Sequence, residues 1–148
     1  MSLLFTPGRI GTLELPNRLV RSATAECLAD PAGRPTPRLI QFYRELAQGG
    51  VGMIISGHLY VQPSGKAHPE MTGIYDDALV PPLAELTNAV HAEGGTVVAQ
   101  INHGGMHANG ENVGEHLAPS AVDASFVEQP ARALRVDEIE MLIQAFAE

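Results

Sequence analysis

The chain has few of the residues that mark disulfide-stabilised or nucleic-acid-binding proteins. Its 148 residues include one cysteine, Cys27, and no tryptophan. A single thiol excludes an internal disulfide and a CxxC metal or redox site, and it favours a reducing compartment, so the cytoplasm is the expected location. Nine basic residues stand against seventeen acidic ones, and the net charge of -8 argues against a surface that binds a phosphate backbone.

Long hydrophobic runs are absent as well. The N-terminal segment 1–7 has no basic region and ends in Pro7, so it predicts neither a signal peptide nor a membrane span. Apolar residues make up 45% of the chain and charged residues 18%, which is a globular composition. A chain of this length can bury one core, and we expect residues 1–148 to form one domain or part of one.

Strand and helix patterns alternate along the chain. Continuous apolar stretches of strand length are typical of parallel strands buried on both faces. Helix starts are indicated by capping residues and by proline at the first helical position, and glycine pairs mark helix ends. The predicted elements are a hairpin around Gly11, a strand at 19–22, a helix at 37–48, a strand at 51–56, a helix from Asp76 to Gly94, a strand at 96–101 and a helix starting near Asp137.

Two architectures accept such βα units: the closed eightfold barrel and the open doubly wound sheet. A dinucleotide-binding sheet would place a GxGxxG pattern after its first strand, but residues 23–28 contain no glycine. The long connections 57–75 and 102–135 suit a barrel, whose site is built from loops at the carboxyl ends of the strands. We therefore predict an α/β fold, the N-terminal part of a (β/α)8 TIM barrel with about three βα units after an N-terminal hairpin.

Six short motifs resemble, in order, the old yellow enzyme family of NADH:flavin oxidoreductases. They are FTP at 5–7, PNRLVRSAT at 16–24, GGVGMII at 49–55, GIYDD at 73–77, QINHGG at 100–105 and APSA at 118–121. The resemblance covers essentially the whole chain but only the first strands of a domain more than twice as long. It implies an FMN-dependent oxidoreductase that takes a hydride from NADH or NADPH and reduces the activated C=C bond of an enone, enoate or dienoyl thioester.

The resemblance also implies which residues contact the flavin. Small residues follow the first strand, main-chain groups follow the second, and an amide ends the third. The residues are Ser22, Ala23, Thr24, Gly57, His58 and Gln100. An amide on an apolar strand is costly unless hydrogen-bonded, and Gln100 can both donate and accept, as the pyrimidine edge of a flavin requires. A glutamine that only ties down a neighbouring loop is the alternative. We expect His58 at the rim of the site rather than as an acid or base.

This sequence departs from the family pattern in the stretch after the first strand. Ala25 stands where many members have a threonine or cysteine that bonds the flavin, so we expect that contact to be absent or replaced. Cys27 lies two positions later. We expect it to be a free, buried cysteine without a redox-sensing role.

Three histidines, His103, His107 and His116, form the one candidate metal cluster. His103 and His107 have the i, i+4 spacing of helical zinc ligands, but His103 is followed by Gly104 and Gly105, which indicates a loop rather than a helix face. We therefore predict no metal site.

The groups for proton transfer are not identifiable in this chain. The resemblance implies that a His pair or a His and Asn pair, a tyrosine and the phosphate-binding loops come from later strands. No catalytic residue is assigned, and the chain alone is expected to be catalytically incomplete. It would belong to a longer product, with an alkene as substrate and the C-terminal half of the barrel, or a second copy, as partner. The alternatives are a non-catalytic, self-associating half-barrel that binds FMN weakly or not at all, and a different phosphate-binding barrel.

Overall fold

The computed structural model describes residues 2–109, 113–123 and 129–147, and it begins with the expected hairpin. Strands β1 (Gly8–Ile10) and β2 (Leu13–Leu15) pair in antiparallel register. Gly11 has a φ of 58° in the connecting turn. Glycine adopts this left-handed conformation without steric cost, so the turn can be tight.

Three parallel strands form the central sheet, in the order β3, β4, β5. Each strand is followed by a helix, as the alternating pattern predicts. The units are β3 (Val20–Arg21) with α1 (Pro37–Gln48), β4 (Met53–Tyr60) with α2 (Val80–Ala92), and β5 (Val97–Asn102) with α3 (Val136–Ala147). Between β5 and α3, two short strands, β6 (His116–Ala118) and β7 (Ala131–Ala133), form a separate parallel pair.

Capping residues determine where the first two helices begin. The Thr36 side chain accepts a hydrogen bond from the Leu39 amide at 3.3 Å, so α1 starts at Pro37 as predicted. Asp76 caps a single 3₁₀ turn by accepting from the Ala78 amide at 2.8 Å. The regular helix α2 therefore begins at Val80, a few residues later than the acidic pair suggested.

The core lies between the sheet and helices α1 and α2. It contains six buried side chains: Leu39, Tyr43, Ala47, Ile54, Leu86 and Val90. Helix α3 carries an apolar stripe, formed by Ile139, Leu142, Ile143 and Phe146, that is uncovered, since Ile139 is 43% exposed and Ile143 is 63% exposed. Within the described residues, none of the helices combines the length and the apolar character needed to cross a membrane.

Strand β4 is longer than the apolar pattern predicted. It continues past Ser56 to Tyr60, with an irregular register between Ile55 and His58. A glycine and a histidine interrupt the apolar run, and the prediction placed the strand end there. Pairing with β5 carries the strand through this interruption, so Gly57 and His58 lie inside β4 instead of following it.

Candidate functional site

The sheet has two distinct faces at its carboxyl end. Val97 and Ala99 of β5 line a cavity together with Leu83 and Leu86 of α2. The side chains of Val97 and Ala99 therefore point toward the helices. Because successive side chains of a strand alternate between faces, Gln100, like Val98 and Asn102, projects from the opposite face. The Gln100 side chain is exposed there. We call this side of the sheet the open face.

His58 belongs to the open face too. Its neighbour Leu59 lines the helix-side cavity, so the His58 side chain points the other way. The parallel register pairs His58 of β4 with Gln100 of β5. In addition, Nδ1 of His58 lies 3.1 Å from Nδ2 of Asn102. Three polar side chains from two adjacent strands therefore share one end of the open face.

Gly57 brings the segment after β3 close to this end of the sheet. A Cβ atom at residue 57 would lie 2.7 Å from the carbonyl oxygen of Thr24 and would overlap the Glu26 carboxylate. On the other side, the main-chain N–H of Gln100 donates to Oγ of Ser56 at 3.0 Å. Thr24, Gly57 and Gln100 thus converge at the carboxyl end of one sheet, as a site built from strand ends requires.

Glu26 holds the segment after β3 in place. Its carboxylate pairs with Arg21 at 2.8 Å and accepts hydrogen bonds from Oη of Tyr43 at 2.7 Å and from the Gly57 amide at 3.2 Å. Burial, reinforced by the Glu26 carboxylate, raises the pKa of Tyr43 well above its usual range. The sequence analysis did not single out Glu26, because only the path of the loop brings it to Tyr43 and Gly57.

The predicted residues after β3 are accessible. Ser22 and Thr24 are exposed and Ala23 is half-buried, and Oγ1 of Thr24 donates to the Ser22 carbonyl at 3.3 Å. Small side chains at these positions leave the main chain open to a flat ring. The side-chain amide of Gln100 supplies both a donor and an acceptor. This donor set fits the edge of a flavin.

His58 is half-buried. Its pKa is lowered by burial and by the neighbouring His68, and Glu26 opposes this shift. The rings of His58 and His68 are 5.3 Å apart between centroids. These surroundings favour the neutral imidazole.

Cys27 corrects one expectation. The sequence analysis predicted a buried thiol, but Cys27 is exposed and has a φ of 51°. The chain turns there, and the left-handed backbone carries the side chain away from the core. Together with Ala25, His58 and His68, Cys27 lines a small pocket.

Two of the three histidines of the candidate metal cluster are held by loop contacts. Nε2 of His103 lies 3.3 Å from Oγ of Ser64, and its Nδ1 accepts from the Gly105 amide. Nδ1 of His116 lies 3.0 Å from the Met106 carbonyl. Among the described residues, no group of three or more His, Cys, Asp or Glu side chains is arranged to hold a metal ion.

Comparison with known proteins shows which family this chain resembles. Residues 3–148 match the model of the NADH:flavin oxidoreductase / NADH oxidase family. A metal reductase of Desulforamulus reducens is 36% identical, with 99% of this chain and 22% of that protein aligned. An NADH oxidase of Thermoanaerobacter brockii is 38% identical, with 98% of this chain and 23% of that protein aligned.

The fold comparison supports the same assignment. The solved structure of an old yellow enzyme homologue from Zymomonas mobilis superposes with a TM-score of 0.86 at 31% identity, over 98% of this chain and 43% of that one. The fold is therefore the N-terminal part of a TIM barrel of the old yellow enzyme type, and the chain spans less than a quarter of the two relatives named above. This chain belongs to the NADH:flavin oxidoreductase / NADH oxidase family.

Proposed function

We propose that these residues form the cofactor-binding part of an FMN-dependent oxidoreductase that uses NADH or NADPH to reduce the activated C=C bond of an enone, enoate or dienoyl thioester. The convergence of Thr24, Gly57 and Gln100 at one carboxyl end of the sheet carries the proposal. Membership of a flavin oxidoreductase family supports the cofactor class. The cytoplasmic location stays a prediction.

Each residue has a defined part in holding the ring. The amide of Gln100 would donate to and accept from the pyrimidine edge. Ser22, Ala23 and Thr24 would offer main-chain groups beside it, and the main chain at Gly57 and His58 would approach from β4. When bound, FMN supplies the hydride transfer, and the protein supplies position and electrostatics. No group that donates a proton to the substrate is assigned among these residues.

Flavin absorbance tests the proposal directly. The purified protein, loaded with FMN, is expected to keep its visible flavin bands through gel filtration. NADH or NADPH should bleach these bands, and an enone should restore them under anaerobic conditions. A protein that keeps FMN but is not reoxidised by any enone, enoate or dienoyl thioester would retain the cofactor assignment and lose the substrate class.

A single substitution tests Gln100, the residue whose side chain would bond the flavin. Gln100→Ala should weaken FMN binding about tenfold, because two hydrogen bonds of about 0.5–1.5 kcal/mol each are lost. Gln144→Ala, which changes an exposed glutamine on α3, is the matched control and should bind FMN like the parent protein. Equal affinities for both variants would contradict the assignment of Gln100.

The second candidate function is a non-catalytic half-barrel that associates with itself. The observation in its favour is the exposed apolar stripe of α3, where Ile139 is 43% and Ile143 63% exposed. A protein that forms oligomers and carries no flavin after loading would favour this candidate.

A further inference from the structure

Two buried polar atoms at the carboxyl end of the sheet call for a chemical explanation. Nε2 of His58 and Oδ1 of Asn102 are buried, and neither has a hydrogen-bond partner among the residues that the structure describes. Native proteins leave few buried polar atoms unpaired, because each one loses its contacts with water without replacement. Both atoms belong to side chains of the open face, beside Gln100.

The two side chains can hold a proton in either of two arrangements. With a neutral imidazole, the Asn102 amide nitrogen donates to Nδ1 of His58 across 3.1 Å, and Nε2 carries the ring hydrogen. A charged imidazole carries hydrogens on both nitrogens. A half-turn of the Asn102 amide then brings Oδ1 round to accept from Nδ1–H. The oxygen that lacks a partner beside the neutral ring is therefore the acceptor that the charged ring needs.

The surroundings of His58, chiefly its burial, favour the neutral arrangement in the resting protein. Burial and His68 lower its pKa, and Glu26, on the segment after β3, opposes them. Cys27 and Glu70 line the same small pocket. A new negative charge on the open face would act in the same direction as Glu26 and favour the charged ring.

We propose that His58 takes up one proton from solvent when the flavin beside Gln100 is reduced, with Asn102 turning its amide to accept the new hydrogen bond. The inference rests on the proposed function. Two electrons and one proton reach the flavin from the nicotinamide, which leaves one additional negative charge on the ring. The proton that binds Nδ1 of His58 balances that charge, and no bond of the protein is broken.

The strand register brings the His58 and Gln100 positions side by side. His58 and Gln100 are register partners on adjacent parallel strands, which lie about 4.8 Å apart. Charges at such separations interact strongly when they are shielded from water. His58 thus responds to charge at the site, and its protonation state follows the redox state of the cofactor.

The test is the midpoint potential of the FMN-loaded protein as a function of pH. One extra proton per two electrons makes the reduction constant change tenfold more per pH unit, which is about 30 mV per unit for a two-electron couple. The parent protein should show this extra slope between the lowered pKa of His58 with oxidised flavin and its raised pKa with reduced flavin. His58→Gln, which cannot titrate but keeps an amide for Asn102, should lose the extra slope. His91→Gln, an exposed position on α2, should keep it.

Two further results decide the inference separately from the proposed function. Superimposable curves for the parent protein and His58→Gln, with FMN bound in both, would overturn the inference alone. A protein that binds no FMN would overturn both proposals. If His58→Gln does not fold, the imidazole resonance of His58 can be titrated by NMR in the oxidised and reduced parent protein. The same pKa in both states would overturn the inference.

Discussion

At the candidate site, the Glu26 carboxylate lies against Gly57. The Glu26 carboxylate occupies the region that any side chain at residue 57 would fill, and it accepts a hydrogen bond from the Gly57 amide. Gly57 is not among the residues with positive φ, so close approach rather than a left-handed turn is the reason for glycine here. The path of the segment after β3 depends on this fit.

Gly57→Ala should therefore disturb the site more than its size suggests. The new methyl group would overlap the Glu26 carboxylate and lie 2.7 Å from the Thr24 carbonyl, so one of the two segments must move. We expect a loss of about 1–3 kcal/mol in the free energy of unfolding, the typical cost of overpacking, together with weaker FMN binding. Gly114→Ala is the control, because a Cβ there meets no atom of the described residues within 4 Å. Urea denaturation and FMN titration of both variants measure the difference.

Glu26→Gln tests the buried ion pair. The Arg21 and Glu26 side chains are 15% and 8% exposed, and removal of one charge leaves the other in poorly solvated surroundings. We expect about 3 kcal/mol of destabilisation by urea denaturation, at the lower end for broken buried pairs. Glu93→Gln removes the partner of a more exposed contact, 4.0 Å from Arg44, and should change stability by less than about 1 kcal/mol. Similar losses for the two variants would show that the Arg21–Glu26 pair has no special role.

At the scale of elements, Tyr43 joins α1 to the irregular part of β4. Its hydroxyl donates to Glu26 at 2.7 Å and accepts from the Gly57 amide at 3.0 Å. The helix thus supports β4 where its register with β5 shifts. This support explains how β4 continues through Gly57 to its end at Tyr60.

The raised pKa of Tyr43 predicts a loss of stability in alkali. Because burial keeps the folded-state pKa above the unfolded value of about 10, the unfolded chain releases its proton first, and stability falls as pH rises above about 10. Tyr43→Phe should cost about 1–2 kcal/mol at pH 7 through the lost hydrogen bonds. It should also reduce the alkaline slope by up to about 1.4 kcal/mol per pH unit.

Tyr60→Phe provides the comparison for this prediction. Tyr60 belongs to a second buried cluster, and its pKa is raised chiefly by burial and also by Tyr75. The variant should reduce the alkaline slope in the same way but leave FMN affinity unchanged. Denaturation curves between pH 7 and 11 follow both variants. An alkaline slope unaffected by Tyr43→Phe would contradict the assigned cause.

At the scale of the whole molecule, the apolar stripe of α3 is left uncovered. Ile139 and Ile143 lie four residues apart on the helix and are 43% and 63% exposed. In a TIM barrel, such a stripe packs against the sheet. The strands and helices that complete the barrel in longer relatives would cover it.

A chain of these 148 residues should therefore associate with itself at micromolar concentrations. The double variant Ile139→Gln, Ile143→Gln should have a lower apparent mass in gel filtration, because its exposed apolar area is smaller. Glu140→Gln, a change at an exposed polar position of the same helix, should leave the association unchanged. Association that persists in the double variant would indicate another surface, such as the edge of β5.

Local patterns in the sequence were enough to predict the three βα units and the fold class, but not the short strands β6 and β7 in the connection before α3. Thr36 and Pro37 at one end and Gly49 and Gly50 at the other bounded α1 correctly, because caps act within one helical turn. The apolar runs located β4 and β5, because the length and composition of such a run are local properties. The expected burial on both faces was wrong for β5, where Val98 is 43% and Ile101 41% exposed. The prediction of a barrel was confirmed by the fold comparison.

Contacts between distant segments were decided only by the tertiary structure. The register that places His58 beside Gln100, the overlap of Glu26 with the space at Gly57 and the exposure of Cys27 all depend on how loops cross strands. Sequence periodicity carries no information about such crossings, because the energy of each contact appears only when both segments are in place. The amino-acid sequence by itself determined the three βα units, and the packing of those units decided which side chains meet.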